Sequence, residues 1–173
     1  TQQRYVDLGL DQSKSQVVGN IKFDIAAPEQ YVQQAQQLKQ DWQLAGRQVI
    51  VLASTHAPEE ESLLKQLQPH LNSNPKLLCI VVPRHPERFD HVAAMVDQAG
   101  YTVRRHSRGE CFADSGREVY LLDVIGKLFD FYSLASIAFV GGTIAPVGGH
   151  NIMEPYAYGV PVVVGPRVEK TKD

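Results

Sequence analysis

The sequence predicts an α/β fold in which a parallel sheet is flanked by helices. Two observations carry this. Short apolar, β-branched runs alternate along the chain with segments of helical periodicity, the pattern of successive βαβ units. The runs are continuously apolar rather than alternating, as strands covered on both faces are. The length of 173 residues, with 43% hydrophobic and 21% charged residues, fits one domain, residues 1–173, with a sizeable core.

Taken in order, "VVGNIKFD" at 17–24 reads as a short extended segment. From Pro28 a helix follows, with Tyr31, Val32, Ala35, Leu38 and Trp42 at helical spacing and glutamines on the solvated face. "QVIVLAS" (48–54) is a buried strand. "PEEESLLKQLQPHL" puts Leu63, Leu64, Leu67 and Leu71 on one helical face, with Pro58 and the glutamates suited to a first turn. "KLLCIVV" (76–82) is the next strand, and "PERFDHVAAMVDQAG" a helix through Phe89, Val92, Ala93 and Val96, stopped by Gly100. Then "YTVRR" reads as a strand, "HSRGECFADSGR" as a loop and "EVYLLD" as a strand. "GKLFDFYSLA" is a helix, "SIAFVGG" a strand, "NIMEPYAY" a helix and "VPVVVG" a strand.

Charge and cysteine content exclude several classes. Seventeen basic against nineteen acidic residues, a net charge of -2, give no electrostatic case for nucleic acid. Cys79 sits in an apolar run as a small core residue, and no cysteine spacing implies disulfides or zinc. No apolar stretch approaches the roughly 20 residues of a membrane span, so this segment is expected to be soluble. Both ends read as cut, with Thr1 at the start and the charged "VEKTKD" at the close, which implies a piece of a larger protein.

In a parallel sheet, ligands bind at the carboxyl ends of strands. Four loops therefore become candidates: Ser54-Thr55-His56, Pro83-Arg84-His85, Asp123 to Gly126, and Gly141 to Asn151. Gly141 and Gly142 end a strand, and Gly148 and Gly149 precede a helix; either pair would let backbone approach a ligand closely. His150 or Asn151 can cap that helix, whose free N–H groups and positive dipole end favour an anion. Neither the P-loop pattern nor G-x-G-x-x-G is present. Glu154, in the first turn and fixed by Pro155, could accept two hydrogen bonds from a ribose diol, about 1.5–3 kcal/mol each. Its simpler reading is a dipole-friendly surface charge. A metal on His150 and Glu154 lacks a third ligand, so none is expected.

Arg84 emerges at the same edge, where a guanidinium can hold a phosphate or carboxylate; Arg104 and Arg105 read instead as surface ion pairs. Asp123 can cap the next helix, while Gly126 permits close approach and its neighbours could read a base edge. His56 and His85 have no paired nucleophile and read as hydrogen-bonding residues.

"ASTHAPEEE", "VPRHPERF", "SRGE", "DVIGKL" and "FVGGTIAPVGGHNIMEPYAYGVPVVVGP" together resemble the carboxyl-terminal domain of 3-deoxy-D-manno-octulosonic acid (Kdo) transferases, from about Val17 to the end. The resemblance implies a Rossmann-like half of a GT-B glycosyltransferase, on the cytoplasmic face of the inner membrane in Gram-negative lipopolysaccharide biosynthesis. It implies transfer of Kdo from CMP-Kdo to lipid A precursor (lipid IVA), with no metal cofactor. It places CMP contacts at Pro83, Arg84, Ile125, Gly126, Lys127, Asn151, Ile152, Met153 and Glu154. Lys127 departs from the acidic residue usual there, so backbone contact is expected at that position. The resemblance also puts the general base, the membrane anchor and much of the lipid-acceptor surface in an amino-terminal domain outside this sequence. This segment alone should be inactive. Two rivals stand beside this reading: a GT-B enzyme using a UDP-sugar, either a glycosyltransferase or a 2-epimerase, and a non-catalytic nucleotide-sugar-binding module.

Overall fold

In the computed structural model of the chain the described residues are 2–17, 29–112 and 117–170, with backbone alone at 29–32 and 34. Beyond Val17, the extended segment expected at 17–24 lies outside them, as do the side chains of Tyr31 and Val32.

Six parallel strands form one sheet in the order β3-β4-β2-β1-β5-β6. They are β1 (Gln48–Thr55), β2 (Leu77–Pro83), β3 (Thr102–Arg105), β4 (Glu118–Leu121), β5 (Ile137–Val140) and β6 (Val162–Val163). The helices are α1 (Gln2–Asp7), α2 (Glu29–Asp41), α3 (Glu59–Ser73), α4 (Phe89–Gln98), α5 (Leu128–Tyr132) and α6 (Met153–Tyr156). Every strand and helix expected within the described residues is present. The helix α1 and a 3-10 turn at Gln12–Lys14 are additions. Neither buries a side chain, so neither leaves an apolar stripe in the sequence to read.

The continuous apolar runs follow from burial on both faces. Along β1, Val49, Val51 and Ala53 enter one core with Leu78, Ile80, Val82, Tyr120 and Phe131, while Leu52 enters the other with Cys79, Val81, Leu64, Val92 and Val96. The two-residue period of a strand sends neighbours to opposite faces, so both must be apolar. Trp42, just past α2, packs 4.6 Å from the Tyr120 ring and 5.6 Å from Phe131, closing the first core. Cys79 is fully buried, which pushes its thiol up to about 12; Cys111 is exposed.

Helices α3 and α4 cover the second face, α2 and α5 the first, and α6 packs on α5. The connections leaving β1 and β2 thus go to one side, and those leaving β4 and β5 to the other. Connections part in this way between β4 and β2 and between β1 and β5, the switch points at whose carboxyl ends parallel sheets hold ligands.

Candidate functional site

The parallel order sets the four candidate loops side by side on one edge: 122–127 after β4, 83–85 after β2, 54–56 after β1 and 141–152 after β5. Adjacent strands are about 4.8 Å apart, so the outer two loops are separated by about 14 Å. Arg84 and Gly126, far apart in sequence, therefore belong to one rim, and Glu154 lies in α6, directly after its last loop.

Three histidines meet at its centre. The Nε2 atoms of His56 and His150 are 2.7 Å apart, with the rings stacked at 5.0 Å, and His85 lies edge-on to His56 at 5.1 Å. One Nε2 must donate and the other accept, so the pair holds a single proton between them. Burial first, then His56 and the Arg84 charge, push His150 down to about 4, and burial also lowers His56. His56 and His150 are thus hydrogen-bonding partners, as the simple reading of His56 expected. Among the described residues no group of three His, Cys, Asp or Glu side chains is gathered as a metal-ligand set.

Pro83 is buried as the last residue of β2, and Arg84 follows it exposed, its N–H donating to the Thr55 carbonyl at 2.9 Å. Among the described residues the Arg84 guanidinium has no ion-pair partner. Arg104 and Arg105 form ion pairs as expected, but not at the surface: Arg104 pairs with the buried Glu118 at 2.5 Å, and Arg105 with the buried Asp123 and the exposed Asp90 at 2.6 Å each. Ile125 is 80% exposed, a large apolar side chain left on the rim. Gly126 has φ +82° with open space on its Cβ side, so its backbone conformation, not crowding, requires glycine. The Lys127 ammonium lies 3.3 Å from Asp130.

Asn151, one residue before the Ile152 N-cap of the last helix, accepts from the Met153 N–H at 3.0 Å, and its amide donates to Glu154 at 3.2 Å. Glu154 is partly buried, and desolvation raises its carboxyl pKa against that hydrogen bond. Ile152 and Met153 flank it, half-buried. The expectation of a helix dipole there is corrected. The helix α6 is a single turn of four residues and sums too few peptide dipoles to matter.

Four further expectations change. Gly141 does not open toward a ligand: a Cβ there would stand 2.4 Å from the Ser54 carbonyl and 2.8 Å from Glu59 Oε2, so the close approach is to the chain itself. Gly142, φ +70°, lies against the His150 ring in the same way. Asp123 caps no helix. It accepts from the Ser107 N–H at 2.7 Å, the Ser107 hydroxyl at 2.6 Å and Arg105 Nε at 2.6 Å, fastening the "SRGE" loop to the end of β4. The glutamates after Pro58 do form the first turn of α3, as expected, but Glu59 and Glu60 turn inward there and are 0% and 1% exposed. Finally, Thr55 is fully buried, Ser54 takes φ +51°, and Gly148 and Gly149 are buried, with Gly149 N–H donating to Gly142 O at 2.7 Å.

Glu59, Glu60 and Arg88 are the residues that sequence reasoning missed. The Glu59 carboxylate accepts five backbone N–H groups, from His56, Gly142, Thr143, Ile144 and Ala145, at 2.8–3.1 Å. Burial alone would raise its pKa, but these bonds outweigh it and hold it below the usual range. Glu60 takes Arg88 in a bidentate pair at 2.5 and 3.1 Å, tying the turn after Arg84 to α3. The available signal was a run of acids directly after a strand-end loop; which two of three consecutive glutamates turn inward is not written in the run.

A scan against known family models matches none. Among solved structures, the chain superposes with a TM-score of 0.80 on the C-terminal CMP-Kdo binding domain of WaaA from Acinetobacter baumannii, at 48% identity over 84% of this chain and 75% of that one. The fold is therefore the carboxyl-terminal half of a GT-B glycosyltransferase, as expected. Among curated proteins, it is 37% identical over 162 residues to the 3-deoxy-D-manno-octulosonic acid transferase of Haemophilus influenzae, and 38% identical over 161 residues to that of Bordetella pertussis. The matches cover 94% and 91% of this chain. The chain belongs to the 3-deoxy-D-manno-octulosonic acid transferase family. It spans 37–38% of the length of these two relatives.

Proposed function

We propose that the chain is the donor-binding domain of an enzyme that transfers Kdo from CMP-Kdo to lipid A precursor, lipid IVA, in lipopolysaccharide assembly. One observation carries this most: the 48% identity to a domain described as binding CMP-Kdo. The rim supports it. Arg84 is an exposed cation without an ion-pair partner among the described residues, near enough to His150 for its charge to act on that ring, and suits the single phosphate of CMP. The backbone of Ile125, Gly126 and Lys127 suits the base, and Glu154 suits the ribose diol.

In the whole enzyme, the acceptor hydroxyl, deprotonated by a carboxylate outside this chain, attacks the anomeric carbon of Kdo. The anomeric carbon–oxygen bond to CMP breaks, and Arg84 with the loop N–H groups stabilises the departing phosphate. No metal is required in this scheme, and excess chelator should leave the rate unchanged. Membrane contact and the acceptor surface belong to parts outside this chain.

The test uses the full-length protein. Arg84→Ala and Glu154→Ala should each lower transfer from CMP-Kdo at least about tenfold, one lost charged hydrogen bond's worth. Full activity in the double variant would end the site assignment. Thermal stabilisation by UDP but not CMP would favour the UDP-sugar alternative.

A further inference from the structure

The glycine loop after β5 looks built for an anion, yet the N–H groups of its first part are already taken. Those of Gly142, Thr143, Ile144 and Ala145 converge on Glu59, three on Oε1 and one on Oε2. Consecutive N–H groups around one point form a nest, the concavity that in many nucleotide sites receives a phosphate. These four residues lie in no helix or strand, so no other backbone pairing is on offer to them.

We propose that Glu59 is a positioning residue: its carboxylate acts as a built-in anion that shapes the loop from Gly141 to Glu154 and diverts the ligand's phosphate outward to Arg84 and Gly148–Asn151. This rests on the donor-binding reading above.

Two routes lead from Glu59 to those residues. Through Gly142, the carbonyl accepts from Gly149 at 2.7 Å, and the Cα packs so closely on His150 that an added Cβ would lie 3.1 Å from its ring. Through His56, whose N–H also donates to Oε2 at 2.9 Å, the imidazole meets His150 at 2.7 Å. Both routes end at His150, one residue before Asn151, which accepts from the Met153 N–H and donates to Glu154. The paired glycines fit this scheme, because any Cβ at Gly141 would collide with Glu59 and Ser54. Glutamine is no substitute for the carboxylate: its amide nitrogen would face either two or three N–H donors.

The test is hydrogen exchange with mass spectrometry, and CMP binding, on the full-length protein. In the unaltered protein, amides 142–145 should exchange as slowly as those of β5. In Glu59→Gln, exchange across 142–150 should accelerate at least about tenfold while β1 and β2 stay protected, and the Kd for CMP should rise about tenfold. Glu59→Asp, which keeps the charge but shortens the reach, should fall between. The proposal is overturned if either variant binds CMP within about twofold of the original, or if the strands loosen equally with the loop. It is also overturned, without any variant, if amides 142–145 of the unaltered protein exchange like an open loop. Failure of the unaltered protein to bind CMP would remove the donor reading; selective loosening of 142–150 would then still support Glu59 as the loop's anchor.

Discussion

Two buried carboxylates stand at the carboxyl edge of the sheet, and opposite means hold them. Glu59, at the β1–β5 switch point, is surrounded by five neutral backbone N–H groups. Asp123, at the end of β4, is held by the Arg105 guanidinium and by both the hydroxyl and the N–H of Ser107. Each fastens a loop to the sheet, and each has its pKa lowered despite burial. The difference is in what they consume. Asp123 uses up a cation, while Glu59 uses only dipoles and so leaves the nearby positive charge of Arg84 to a ligand.

The comparison breaks most visibly at Glu59. Glu59→Ala leaves five N–H groups without their acceptor and should cost about 4 kcal/mol or more, even with water entering. The urea unfolding midpoint measures it, and a cost below about 1 kcal/mol would deny the nest its importance. Asp123→Ala should cost somewhat less, about 3 kcal/mol, by stranding a largely buried Arg105 that keeps only the exposed Asp90 as partner. If Asp123→Ala proves the more costly of the two, charge outweighs dipoles here and the ranking is wrong.

Acid sharpens the contrast. His150 falls from an ordinary value near 6.5 to about 4. Between those pH values the unfolded chain binds the extra proton, so its contribution is present above pH 6.5 and lost as pH falls toward 4. The carboxylates lose theirs only at lower pH, below their ordinary values of 4.5 for Glu59 and 3.8 for Asp123. His150→Gln should therefore flatten the stability profile between pH 6.5 and 4 and leave its more acidic limb; an unchanged slope would show that the His56–His150 pair contributes nothing. The smallest effect belongs to Arg84→Ala, which should move stability by less than about 0.5 kcal/mol, because the side chain is exposed and unpaired among the described residues. A larger shift in thermal midpoint would mean Arg84 serves the fold rather than a ligand.

Much of this was legible beforehand. Runs such as 48–54 and 76–82 announced buried parallel strands, and Leu64, Leu71, Val92 and Val96 their covering helices. The rule that ligands sit at carboxyl ends then singled out the four loops before any geometry was known. Less legible was how each loop is fixed. Asp123 looked like a helix cap, and Glu59 like one of several first-turn acids, because a capping acid and a buried anchor have the same local sequence. Gly141 and Gly142 announced close approach, but not whose atoms approach.

The order of apolar runs and helical stripes determined the α/β class, the strands and the rim on which the candidate residues stand, because periodicity and burial are local properties repeated along the chain. Only the tertiary structure decided that Glu59 fills the nest 83 residues away and that His56 meets His150 across 94. Such pairings depend on which strands become neighbours, and a hydrogen bond between distant segments leaves no periodic trace in either of them.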